Sequence, residues 1–248
     1  MKVFDVVIEF DRAKLHSVIE NSIREGEKGY ICFTDANVLS IARKNKEYLS
    51  VLQGAMINSC DGGSVAMMVN RIHGTNVRAY NGPDLFVNYI GRSDFKQLLL
   101  GNTKEKYQMI VEELKRRGFS FDHVSYLDVP FAKVEEFDYK TIAEKINSMD
   151  ADIIWVSLGA PKQERFMSKL LPYINRGVLF GIGAAFNFYI GKNIQPSLHF
   201  GAFRFIWLDR IFREPRKQLR RVFKILKAMP LLYWDERKRY RDSLKNSF

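Results

Sequence analysis

Apolar residues recur along this chain in two patterns that take turns. Short runs dense in β-branched and aromatic side chains occupy residues 30–33, 55–60, 95–100, 120–126, 153–159 and 178–183, and residues 3–9 alternate more loosely. Between them, apolar positions return at intervals of three and four. Leu15, Val18, Ile19 and Ile23 do so within 11–24. Residues 38–52, 65–72, 104–117 and 138–149 follow suit, as do about ten residues around Glu164 that Pro172 would end. The first pattern predicts strands and the second helices. Their alternation predicts an α/β fold, a Rossmann-like parallel sheet with helices on both faces.

The runs at 153–159 and 178–183 frame the rest. Each is a buried-strand pattern that ends in glycine and then changes to helical spacing. In an open parallel sheet the loops after the strands' C-terminal ends gather in one crevice, where ligands bind. Glycine there lets backbone N–H groups approach a phosphate or sugar, and a helix N-terminus favours negative charge. Pro161 suits a first helical turn, with Lys162 and Gln163 at the crevice edge. Ordinary βα turns of an α/β core would share this glycine spacing. Gly181-x-Gly183 lacks the third glycine of a dinucleotide fingerprint.

Charge divides the chain. The net charge is +11, yet residues 201–248 carry 14 Lys/Arg against 5 Asp/Glu, while residues 1–200 carry 25 against 23. The division predicts a catalytic core over 1–196 and a basic amphipathic appendage over 197–248. In that appendage Phe212, Leu219, Val222, Phe223, Leu226 and Met229 fall on one helical side and six basic residues on the other. Such a helix suits an anionic membrane surface, or else packs on the core with its basic face solvated. A nucleic-acid-binding protein is the competing reading of the charge. Against it, the core is nearly neutral and no basic, aromatic-interleaved strand platform is present.

Two cysteines beside apolar runs argue against a disulfide framework and for a reducing compartment. The four histidines are scattered, and no metal-ligand spacing occurs. Asp5 and Glu9 in the first apolar stretch are unlike a signal peptide. The longest uncharged apolar stretch, 177–191, is too short to span a bilayer as a helix.

Several polar residues sit where strands should end. Asp61, followed by two glycines, either caps the next helix or serves as a catalytic carboxylate. The turn 34–37 can cap its helix, and Asp84 lies near an N-cap position. Asp150 and Asp152 imitate a metal-binding Asp-x-Asp but fall where the chain enters the sheet, and read as structural.

Taken together, Asp61-Gly62, the 82–86 string Gly-Pro-Asp-Leu-Phe, Leu100-Gly101, the 158–164 string Leu-Gly-Ala-Pro-Lys-Gln-Glu, the 181–186 string Gly-Ile-Gly-Ala-Ala-Phe and Glu214-Pro215-Arg216 occur in an order that resembles the WecG/TagA/CpsF-type glycosyltransferases. The resemblance runs from about Tyr30 to about Arg221. It implies an inverting, metal-independent enzyme without a cofactor. Such an enzyme moves N-acetylmannosamine, its uronic acid or glucose from a UDP-sugar to a polyprenyl-diphosphate-linked sugar. It implies a cytoplasmic protein, peripheral on the inner face of a bacterial cell membrane, in surface-polysaccharide or teichoic acid synthesis. Some relatives self-associate, so a homo-oligomer is among the expectations.

Carried onto this sequence, the resemblance makes Asp61 the catalytic base. Thr34 and Asn37 fall in the segment matching a Thr-x-Asn motif, here widened by a residue. Gly101, Gly159, Ala160, Pro161, Gln163, Gly181, Gly183 and Asn187 become the donor-binding set. Arg210, Arg213, Arg216, Arg220 and Arg221 become the cations that face diphosphate and membrane. Inversion needs one displacement, in which a base takes the acceptor hydroxyl's proton, and cations stabilise the departing diphosphate. A nicotinamide-dependent oxidoreductase is the remaining alternative, weakened by the incomplete glycine fingerprint.

Overall fold

The computed structural model describes residues 1–101, 103–191, 199–200, 203–204 and 215–245, with side chains through 191 and from 223. Strands β1 (Lys2–Val3) and β2 (Val6–Glu9) form a hairpin. Residues 3–9 therefore are not one strand: Phe4 and Asp5 take φ of 54° and 62°, and two successive left-handed residues reverse the chain. Helix α1 (Arg12–Arg24) begins at Asp11, whose carboxylate accepts the N–H groups of Ala13 and Lys14. Strand β3 (Lys28–Thr34) leads to α2 (Ala36–Lys44) and α3 (Lys46–Gln53). The single helix expected over 38–52 is broken at Asn45, which is extended and caps α3 through Tyr48 N–H at 2.8 Å.

Then follow β4 (Ile57–Cys60), α4 (Gly63–His73), α5 (Gly82–Ile90), β5 (Gln97–Leu100), α6 (Lys104–Arg116) and β6 (Val124–Leu127). After them come α7 (Tyr139–Met149), β7 (Ile153–Val156), α8 (Lys162–Leu170), β8 (Gly177–Gly181) and α9 (Ala185–Tyr189). A short pair, β9 (His199–Phe200) and β10 (Phe203–Arg204), precedes α10 (Pro215–Lys245).

Eight strands pair in the order β1-β2-β4-β3-β8-β7-β5-β6, all parallel except β1. Strands β7 and β8, buried at every position, lie near the middle as their continuous apolar pattern requires. One apolar cluster gathers α2, α3, α4, α7 and α8 on one face; the other gathers α1, α5, α6 and α9 on the opposite face. The helices that follow β3 and β7 thus lie on one side, and those that follow β8 and β5 on the other. Between these strands the chain departs in opposite directions, which opens a crevice at their C-terminal ends.

At the other end of the sheet Asp152 accepts from Lys96 N–H at 2.8 Å and pairs with Arg176, while Asp150 pairs with Lys96 at 2.8 Å. The Asp-x-Asp imitation is structural, on the edge away from the crevice.

Helix α10 docks through Ala228, Leu232 and Glu236, spaced by four and buried against α2 and α4. Of the apolar side read from the sequence, Met229 packs against the core while Phe223 and Leu226 stand exposed at 61% and 58%. The contacts fix the helix's direction. Asp235 meets Arg43 near the end of α2 at 2.6 Å, and Glu236 meets His73 at the end of α4 at 3.1 Å. The earlier turns of α10 therefore run back along α2 and α4, towards the crevice. Among the described residues no helix is long and apolar enough to cross a membrane.

Candidate active site

Asp61 stands directly after β4, half-buried, at the crevice. The N-cap of α4 is Gly62, and Asp61 Oδ1 accepts Gly82 N–H at 3.0 Å. The carboxylate is thereby aimed across to the start of α5. Asn81 holds that start. Its Oδ1 accepts Asp84 N–H at 2.8 Å, so the N-cap is Asn81 and Asp84 lies three residues inside. Gly82 packs beside Phe33 and Ile182, where an added Cβ would make ordinary contacts of 3.5 Å with the Phe33 ring and 3.7 Å with Ile182 Cα.

The β3 turn adjoins Asp61, whose N–H donates to Thr34 O at 3.1 Å. Thr34 itself is fully buried, and its hydroxyl donates to Ser59 O at 3.0 Å. Asp35 caps α2 through Val38 N–H at 2.8 Å, and Asn37 is half-buried in the first turn of α2. Both cysteines are free and buried beneath this region, and burial pushes the Cys60 thiol up to about 12. Neither is a nucleophile.

Across the crevice the turns after β7 and β8 are stitched together. Ser157 Oγ donates to Gly183 O at 2.5 Å, and Gln163 Nε2 donates to Gly181 O at 2.6 Å. Gln163 Oε1 accepts Gly159 N–H at 3.0 Å. Gln163 is buried, so its amide forms part of the crevice wall from behind. Gly159 takes φ +78° and has open space where a Cβ would be; Gly183 takes φ +54°. Ala160 and Pro161 complete the first turn, joined by a cis peptide bond, and α8 begins one residue later than Pro161, at Lys162. Gly101, at φ +84°, faces Leu158, whose Cδ2 would lie 2.7 Å from an added Cβ. Asn187 is half-buried on α9, just beyond the β8 turn.

The structure thus brings Asp61, Thr34, Asn37, Gly101, Gly159, Ala160, Pro161, Gln163, Gly181, Gly183 and Asn187 to one edge of the sheet. Arg210 and Arg213 lie outside the described residues, and Arg216, Arg220 and Arg221 fall in α10 where only the backbone is described.

Sequence reasoning assigned no role to Glu164. It is completely buried beneath the crevice, Oε1 accepting from Gln163 Nε2 at 2.9 Å and Oε2 from the Tyr48 hydroxyl at 3.1 Å. Burial raises its pKa to about 7, against the pull of those hydrogen bonds; the charge of Asp35 raises it further. A signal was available. Gln163 and Glu164 fall on the same helical side as Phe166, Met167 and Leu170, which are all buried.

A switch-point crevice that holds a carboxylate is where an α/β enzyme binds its ligand. The chain belongs to the glycosyl transferase WecG/TagA/CpsF family, whose profile matches residues 1–242, and is a glycosyltransferase. An N-acetylglucosaminyldiphosphoundecaprenol N-acetyl-beta-D-mannosaminyltransferase of Bacillus spizizenii is 26% identical over 226 residues, 89% of this chain and 85% of the relative. Proteins of the same name from Staphylococcus aureus strain MW2 and Bacillus subtilis strain 168 are 21% and 23% identical, over 94% and 70% of this chain and 91% and 67% of theirs. The nucleic-acid-binding and oxidoreductase alternatives fall with this membership.

Proposed function

We propose that the chain transfers an N-acetylmannosaminyl group from its UDP-sugar to a polyprenyl-diphosphate-linked N-acetylglucosamine, with inversion and without a metal. The observation that carries the reading is Asp61, a half-buried carboxylate at the end of β4 fixed by Gly82 N–H at 3.0 Å. The donor's glycosyl diphosphate lies against the turns at Gly159 and Gly183, where the open space over Gly159 admits it and the start of α8 favours its charge. The acceptor hydroxyl oxygen attacks the anomeric carbon and passes its proton to Asp61. The bond from that carbon to the diphosphate oxygen breaks, and UDP leaves with the electron pair. Thr34, with its hydroxyl already committed, holds the ends of β3 and β4 together beside the base, and Asn37 offers its amide to the acceptor.

Helix α10 supports a cationic role for its first turns. At about 1.5 Å per residue, positions 216, 220 and 221 lie about 10–18 Å beyond Ala228 along the axis, on the crevice side of the docked segment. There their arginines meet the departing diphosphate and the acceptor's own. The exposed Phe223 and Leu226, with Lys224 and Lys227 between and beside them, suit the headgroup region of an anionic bilayer on the cytoplasmic side.

The test is release of UDP by the purified full chain from a panel of UDP-sugars, with a short-chain lipid-diphosphate N-acetylglucosamine, with and without EDTA. The expected result is EDTA-resistant, acceptor-dependent release from UDP-N-acetylmannosamine, reduced about 10²–10⁴-fold in Asp61→Asn. Release by Asp61→Asn at the wild-type rate would remove the base assignment; loss of release with EDTA would remove metal independence.

A further inference from the structure

We infer that Glu164 is a positioning residue for the transfer reaction, acting through Gln163 to hold the two donor-facing turns in register. The inference rests on the proposed reading that those turns receive the UDP-sugar.

The geometry leaves the Gln163 amide only one orientation. Its two N–H bonds go to Gly181 O at 2.6 Å and Glu164 Oε1 at 2.9 Å, and its oxygen takes Gly159 N–H at 3.0 Å. A flipped amide would set its oxygen against a carbonyl and a carboxylate, and its NH2 against a backbone N–H. Glu164 thus reinforces the orientation set by Gly159 and Gly181, and it is the acceptor that satisfies the second N–H of Gln163. Gly181 leaves it room: an added Cβ there would lie 3.1 Å from Gln163 Nε2 and 2.8 Å from Met167 Cε.

A carboxylate is a costly way to fill this space. Glu164 is wholly buried, with Tyr48 of α3 on its other oxygen, Cys32 of β3 near it, and the Asp35 charge at the start of α2 raising its pKa. Arg165, the next residue, lays its guanidinium over the Tyr48 ring at 5.6 Å. Burial pushes the Tyr48 hydroxyl far above its ordinary range, so it remains a donor. An apolar side chain of similar length would spare the desolvation. It would also strand the second N–H of Gln163 and the Tyr48 hydroxyl, the two donors from which the carboxylate accepts.

The experiment separates stability from donor recognition. In the full chain, Glu164→Met, Glu164→Gln and Glu164→Asp are compared with wild type by thermal melting, by UDP titration in a calorimeter and by steady-state kinetics. Glu164→Met, which leaves the Gln163 N–H and the Tyr48 hydroxyl without an acceptor, is expected to melt below wild type and to bind UDP about tenfold more weakly or worse, with acceptor KM changed by less than about twofold. Glu164→Gln, which can still accept from Gln163, restores UDP binding. Glu164→Asp, one methylene shorter, loses it even if Glu164→Met fails to fold. In a Gln163→Ala background the Glu164→Met change has no further effect on donor KM. Wild-type UDP affinity in Glu164→Met or Glu164→Asp would overturn the inference alone; a wild-type protein that does not bind UDP would overturn it together with the donor reading.

Discussion

Glu236 fastens the C-terminal helix to the core, and its removal has a calculable effect. The side chain is 3% exposed; Oε2 accepts Phe4 N–H at 2.6 Å and Oε1 meets His73 Nε2 at 3.1 Å. Arg239 adds a looser contact at 3.4 Å but is itself 41% exposed and keeps Asp5 at 2.6 Å, so its share is discounted. Glu236→Ala strands a buried backbone donor, at about 1–3 kcal/mol, and deprives His73 of a partner at about 1 kcal/mol. The sum is about 3 kcal/mol, spent on the docked half of α10, because β1–β2 and α4 have their own pairings. Native-state hydrogen exchange of amides 228–240 should then quicken about 100-fold, while amides of β7 and β8 change little. Glu236→Gln, which keeps an acceptor for Phe4, should fall between. Exchange in 228–240 within about threefold of wild type after Glu236→Ala would refute the account of docking.

Two further perturbations follow from the geometry. Glu164, raised by burial to about 7 from 4.5, ionises later in the folded than in the unfolded chain. The folded state therefore holds more protons between those values, and stability is lost as pH rises through that window, by about 3 kcal/mol at most. Denaturant titrations should show Glu164→Gln gaining on wild type from pH 5 to pH 8, and a constant difference would contradict the burial argument. Gly177→Ala places a Cβ 2.5 Å from Ala151 O on a backbone with φ +101°, and should cost at least about 2 kcal/mol. A melting temperature lowered by less than about 2 °C would show that the turn before β8 relaxes freely.

What could be read in advance divides along physical lines. The sheet was legible because β3, β5, β7 and β8 are buried on both faces, and such strands advertise themselves as unbroken apolar runs. The order β4-β3-β8-β7-β5 was not legible, since strand order is set by which helices cross which face, a long-range matter. The break at Asn45 escaped because both helices bury the same side, and only the local cap separates them. Asp61 could be placed at a strand end from the sequence, but that its carboxylate reaches Gly82, twenty-one residues on, could not be read there. Which face of α10 docks was not legible, because burial goes to Ala228, Leu232 and Glu236 while Phe223 and Leu226 stay outside.

The docking of α10 through Glu236 and the burial of Glu164 have a common origin. A switch-point crevice must stay open for its ligand, so the turns on its sides cannot be secured by filling the gap with apolar side chains. They must be tied from behind, and behind the β7 and β8 turns there is only buried space. A polar tie there must satisfy every donor it brings. Gln163 does so only because Glu164 accepts its second N–H, and Glu164 in turn draws on Tyr48 from α3. Helix α10 meets the same constraint at the opposite end of the sheet. The β1–β2 turn leaves Phe4 N–H buried and without a strand partner, and a carboxylate from residue 236 supplies the acceptor. In both places a glutamate stands where hydrophobic patterning expects an apolar residue, because the backbone it serves has a buried N–H, or an amide, that no apolar group can satisfy.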